Sequence, residues 1–256
     1  MGELSRSTEK QRQECRPLIS PAEKMPDHTV KAFDADLASL ARMIAEMHEQ
    51  VEKGLKDAVD ALIRNDDKLV KAVRVIDETN AAMSRDIEAN LILLIARRQP
   101  VAHDLRFIIA VWETAIELNR VSGIARSIAN RAIALEDVHT IPQSAQGLRR
   151  ITHAALRRLR EAVDSLVLAD SAKAESLPVS GYAIDSVYNS FCRELLTYMM
   201  ADSSTSPTVI QLLFSAKSIE SIGDNVTNIA DAVHYFTQGQ RISRAAEGLP
   251  NTVISY

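Results

Sequence analysis

Four oxygen-bearing side chains recur one helical turn apart between Ser218 and Val233: Glu220, Asp224, Asn228 and Asp231. On the other side of the same stretch Ile219, Ile222, Val226, Ile229 and Val233 repeat at intervals of 3, 4, 3 and 4, one apolar stripe at helical period. The spacing predicts a helix whose polar stripe faces outward. Two carboxylates at i and i+4 repel by roughly 0.2–0.5 kcal/mol in an isolated helix, and a bound cation reverses that sign. Two readings are open: a solvated acidic face, or oxygen ligands of a metal ion.

A second charged group, Arg97, Arg98, Asp104 and Arg106, surrounds Pro100. Its simplest role is structural, with cations in the last turn of one helix and an acid in the first turn of the next, each opposing the macrodipole. An arginine pair can also hold phosphate, but no Gly-rich P-loop accompanies it. Glu136-Asp-Val-His139 has the spacing used by di-iron bundles, which need two such motifs and two further glutamates; here it stands alone. His48, His103, His153 and His234 are scattered and read as surface or boundary residues, and no nucleophile–histidine–acid arrangement can be argued from spacing. Cys192, in an apolar run, reads as a small core residue, and Phe107 and Trp112 as core or interface residues.

These residues must be carried by helices. The 256-residue chain is 46% hydrophobic, only 4% aromatic and poor in glycine, and alternating β-branched runs are absent. The expected class is all-α. A net charge of −4 gives no argument for nucleic-acid binding. Two cysteines in unlike contexts argue against a disulfide framework. With no apolar run of the roughly 18–20 residues that a membrane span needs, and no apolar leader, the expected location is the cytoplasm.

Residues 1–27, polar and broken by Pro17, Pro21 and Pro26, read as a mobile tail. Phe33, Leu37, Leu40, Ile44, Met47, Val51, Leu55, Ala58 and Leu62 form the seam of a first helix ending near Asn65. Asp66 is the predicted N-cap of a second helix, which Pro100 stops, and a third runs to about Leu135. Residues 138–146 read as a linker, and further helices are expected at about 147–169, 171–201 and 206–237, with 239–256 a loose tail. Ala58-Val-Asp-Ala-Leu-Ile-Arg-Asn-Asp66 matches Ala162-Val-Asp-Ser-Leu-Val-Leu-Ala-Asp170, and Ser127-Ile-Ala-Asn-Arg-Ala-Ile133 matches Asn228-Ile-Ala-Asp-Ala-Val-His234. The expected architecture is two tandem three-helix bundles, 28–137 and 147–238, related by internal duplication.

Three separated stretches, Ile95-Ala-Arg-Arg-Gln-Pro-Val-Ala-His-Asp-Leu-Arg106, Arg193-Glu-Leu-Leu-Thr-Tyr-Met-Met-Ala-Asp202 and Ile219-Glu-Ser-Ile-Gly-Asp-Asn225, resemble in order the signatures of the PhoU family of phosphate-uptake regulators. The resemblance covers about residues 30–238. It implies a regulator rather than an enzyme: a homodimer at the inner face of the membrane that binds the ATPase subunit of the phosphate ABC transporter and the phosphate sensor histidine kinase, holding both in check when phosphate is plentiful. It also implies metal carried by paired E-x-x-x-D motifs, one per repeat. The second pair falls on Glu220 and Asp224, with Asp185 from the middle helix, enough for one divalent or iron-type ion. The first pair falls on Asn119 and Gly123 and is lost, leaving Asp77 with Ala81 where its partner would stand. Because Arg97, Arg98, Asp104 and Arg106 lie in a family signature, they are also candidates for partner docking. The departures mark a divergent member. Alternatives are a paralogue serving another transporter and an interaction bundle that carries metal without regulating anything.

Overall fold

The structure, a computed structural model, describes residues 27–133, 142–179 and 182–241. The chain divides into two compact units, Met1–Asp36 and Leu37–Tyr256; of the first, only Asp27–Asp36 is described, and it is helical. Apart from the bounds of the first helix, everything that follows concerns the second unit.

The described residues form α-helices and one short 3-10 turn, with no strand among them. The first repeat holds α1 (Asp27–Arg64), α2 (Asp67–Arg98) and α3 (Ala102–Ile133). The second holds α4 (Pro142–Val167), α5 (Ser171–Val179), α6 (Tyr182–Ala201), the 3-10 turn Ser203–Thr205, α7 (Ser206–Glu220) and α8 (Ile222–Gln238). Asp66 caps α2 as its residue type predicts, accepting from the backbone N–H of Lys68 at 2.8 Å and of Leu69 at 3.4 Å. The α1 seam is buried through Ile44, Met47, Val51, Leu55 and Leu62.

The second repeat is more broken than its periodicity suggests. Of the expected helix 171–201, the described residues form α5 and α6, and residues 180 and 181 between them lie outside the described residues. The expected helix 206–237 is interrupted at Ser221. There the Asp224 N–H donates to the Ser221 carbonyl at 3.1 Å, a tightened turn, while the Ser221 hydroxyl donates to the Ser218 carbonyl at 2.8 Å. Such a local serine bond competes with the helical ladder. The helix α4 begins at Pro142, inside the stretch 138–146 expected to be a linker, in keeping with proline's fitness for a first helical turn. Gly147 is then an interior helical residue, buried where any side chain would drive into the Phe191 ring. The tails 1–26 and 242–256, and Glu136 and His139, lie outside the described residues.

The last helices of the two repeats, α3 and α8, pack on each other; α3 also packs on α2, and α8 on α4 and α5. Ion pairs between α1 and α4 fasten the repeats a second time, Arg149 with Asp60 at 2.8 Å and Arg160 with Glu52. Burial opposes the charge on Glu52, but hydrogen bonds from Arg160 and Lys56 more than offset it and hold the carboxyl down at about 2. One turn earlier His48 is buried with no hydrogen bond to its Nε2, and burial pushes its pKa below the ordinary value.

Both shifts predict acid sensitivity. His48 and Glu52 each bind protons more readily in the unfolded chain, so their contributions are complete at neutral pH and lost on acidification. Loss begins as pH falls through 6.5 for His48, and through 4.5 toward about 2 for Glu52. Melting temperatures measured across pH 2–8 should fall in those two windows. Glu52→Gln should lower the neutral-pH value and flatten the fall below pH 4.5.

Candidate functional site

The polar stripe read from Glu220 to Asp231 does not stay on one solvated face. Glu220 closes α7, where Lys217 Nζ lies 2.6 Å from its Oε2. Lys217 also sits 5.7 Å from the centre of the Tyr188 ring. The Tyr188 hydroxyl is pushed up to about 12, first by its hydrogen bond with Cys192, then by burial and by the nearby charges of Cys192 and Glu220. Cys192 is thus half-buried beside polar groups rather than in the core. Asp224 and Asp185 are solvent-exposed. Asn228 and Asp231 turn instead toward α3 and Arg241. In the first repeat Gly123 faces open space, Asn119 is half-buried, and Asp77 pairs with Arg126 at 3.2 Å. Among the described residues no three His, Cys, Asp or Glu side chains come together as a metal ion requires. As placed, the donor set does not fit a bound metal.

What the stripe meets is a carboxylate buried on α3. Glu117 accepts from Asn225 Nδ2 at 2.7 Å and from Asn228 Nδ2 at 3.2 Å, both on α8, and from Arg120 at 2.6 Å on its own helix. Beside it a recess of about 290 Å³ is lined in part by Arg241, which pairs with Glu113 of α3 at 2.6 Å and Asp231 of α8 at 3.0 Å. These pairs raise the Arg241 pKa further above its ordinary value. Gly239–Arg241, the start of the stretch expected to be loose, is therefore held. Sequence reasoning passed over Glu117; the available signal was a charged residue in register with the buried Val111, Thr114, Leu118 and Val121.

The charged group around Pro100 is divided. Arg106 donates from Nε to the Phe236 carbonyl at 3.3 Å and lies against Gly239, so it closes the C-terminal end of α8. Phe107 and His103 pack on the Phe236 ring with centroids 5.1 and 4.7 Å away, and Asp104 lies 3.8 Å from His103. Arg97 is exposed and Arg98 half-buried at the end of α2. The turn itself is strained: Gln99 and Ala102 take φ of 48° and 47°, costly for residues with a Cβ. Next to it lies an apolar groove of about 250 Å³ between α2 and α3, lined by Leu91, Ile92, Ile95, Leu105, Ile108 and Trp112. Ile92 is 60% exposed, Trp112 44%, and Val101 in the turn 74%. Trp112 is a surface residue rather than a core one.

A family model described as "PhoU domain" matches this chain twice, over residues 44–132 and 148–233. The chain belongs to the PhoU family. The two matches coincide with the two repeats. Similar curated proteins are the phosphate-specific transport system accessory protein PhoU homologues of Rhizobium meliloti, 38% identical over 83% of this chain and 90% of that protein, and of Caulobacter vibrioides, 33% identical over 86% and 95%. The crystal structure of PhoU from Pseudomonas aeruginosa superposes with a TM-score of 0.73 at 35% identity, covering 81% of this chain and all of that one. PhoU from Streptococcus pneumoniae, at 22% identity and a TM-score of 0.72, shares the fold.

The Glu117 contacts carry a prediction for stability. A buried carboxylate with amide partners contributes more than an exposed pair, and Glu117→Ala also leaves Asn225 without its acceptor. The expected loss is roughly 1.5–3 kcal/mol, measured by urea denaturation at pH 7. Arg120→Ala, which removes an exposed partner, should cost under about 1 kcal/mol.

Proposed function

We propose that this chain is a PhoU-type negative regulator of phosphate uptake and of phosphate-regulon signalling. It acts by binding: when phosphate is plentiful it engages the ATPase subunit of the phosphate ABC transporter and the sensor histidine kinase at the inner face of the membrane. Support comes from family membership across both repeats and from relatives named as accessory proteins of phosphate-specific transport. No helix among the described residues is long and apolar enough to cross a membrane, so on this reading membrane association runs through the partners.

The observation that carries the reading is the solvent-facing groove between α2 and α3. An apolar surface of this kind, with an exposed tryptophan and Glu88 as its one charged lining residue, has the composition of an interaction surface. The strained turn beside it would hold Arg97 and Val101 in fixed positions for a partner. On this reading Arg98 and Asp104, near the same turn in the chain, are further docking candidates, whereas Arg106 serves α8.

A clean deletion strain in abundant phosphate should show raised phosphate uptake and a derepressed phosphate-regulon reporter. An unchanged strain would contradict the reading. In the same strain, Trp112→Ala and Ile92→Asp should each weaken capture of the ATPase subunit roughly ten- to thirtyfold, as loss of a central aromatic or apolar contact does. Ile92 is 60% exposed, so Ile92→Asp should barely move the melting temperature, which separates lost docking from lost folding.

A further inference from the structure

The first repeat has lost the E-x-x-x-D pair, but the place where that pair would stand has not become apolar. Asp77 on α2 is still buried there, its side chain only 12% exposed. A buried carboxylate is costly unless a positive charge and hydrogen-bond donors compensate it. Asn119 and Gly123 supply no charge, and Gly123 leaves an open recess of about 470 Å³ above Asp77. The compensating group is on the chain itself. Arg126, three residues beyond Gly123 on α3, places its Nη1 3.2 Å from Asp77 Oδ2 while its side chain remains 55% exposed.

This pair is the middle rung of a ladder between the two antiparallel helices. Arg74 donates from Nε and Nη2 to Asn130 Oδ1 at 3.1 and 2.8 Å, and Asn80 donates to the Ser122 hydroxyl at 3.1 Å. The α2 members, Arg74, Asp77 and Asn80, advance by three residues; the α3 members, Asn130, Arg126 and Ser122, step back by four. Both spacings keep the side chains on one helical face. The middle rung alone is ionic, and it occupies the position where the family pattern would call for a cation.

We propose that Arg126 stands in for a metal ion in the first repeat. Its guanidinium gives Asp77 the positive charge that a bound cation would give, and does so with one charge against one carboxylate. The recess is lined by two carboxylates, Asp77 and Glu78, and two guanidiniums, Arg74 and Arg126, so its charges balance on the chain itself with no cation added. Pairing of α2 with α3 in this repeat is accordingly independent of metal supply.

The test uses the full chain carrying Glu220→Ala and Asp224→Ala, so that any metal response belongs to the first repeat. This parent should melt at the same temperature in EDTA and in Mn²⁺, an ion that prefers oxygen ligands. Arg126→Met should lower the melting temperature by roughly 2–4 °C, and Arg126→Lys, which keeps the charge, should recover at least half of that. Arg126→Glu sets a carboxylate against Asp77 in place of the guanidinium. It should be the least stable variant in EDTA and the one that Mn²⁺ raises. The proposal is overturned if Arg126→Met melts with the parent, if Mn²⁺ leaves Arg126→Glu unchanged, or if Mn²⁺ stabilises the parent as much as Arg126→Glu.

Discussion

A carboxylate buried between two helices has to be satisfied, and in this protein the groups that satisfy Glu117 come from the other repeat. Asn225 and Asn228 of α8 reach it directly, while Arg120 supplies the balancing charge from the solvent side. An apolar contact between α3 and α8 could slide by a turn at small cost. A carboxylate that must meet two amides one turn apart tolerates no such slip, because any other register leaves buried polar groups unpaired. The clasp therefore sets how one three-helix bundle meets the other. Arg241, tied to Glu113 and Asp231, repeats the logic at the surface of the same seam.

With that register set, the remaining polar groups fall into two kinds. Some fasten helices within or between repeats: Arg106 on the end of α8, Arg126 on Asp77, Arg160 on Glu52. Others are left facing solvent at the α2–α3 end, where Arg97 is exposed and an apolar groove between the two helices is open to solvent. A regulator that works by contact needs both kinds, a rigid frame and a surface the frame does not use. The family places the chain beside phosphate transport; the groove is an apolar surface that its own residues offer a partner.

Much of the frame was legible in the sequence. The 3-and-4 spacing of α1, the Asp66 cap, the stop at Pro100 and the paired segments around Asp66 and Asp170 each follow from local rules, and the all-α duplicated architecture follows from them together. The break at Ser221 was harder to read, since a continuous apolar stripe runs through it and masks the hydroxyl that tightens the turn. The candidate site was legible only in part. Glu220 and Asp224 were found as a pattern, but a helical projection cannot show that Lys217 reaches back to Glu220 or that Asn228 and Asp231 turn into the inter-repeat seam. Glu117, Arg126 and Arg241 act through partners 49 to 128 residues away in the chain. Spacing within one helix carries no trace of such pairs.

The claim on which this account rests is that the two repeats are one cooperative body held in register by the Glu117 clasp. Native-state hydrogen exchange at increasing urea, resolved to α3 and α8, tests it most directly. The account predicts that the protected amides of both helices exchange through the same opening, with equal free energies and equal urea dependence. If α8 opens at a lower free energy while α3 stays protected, the repeats are independent bundles and the clasp is only a contact between them.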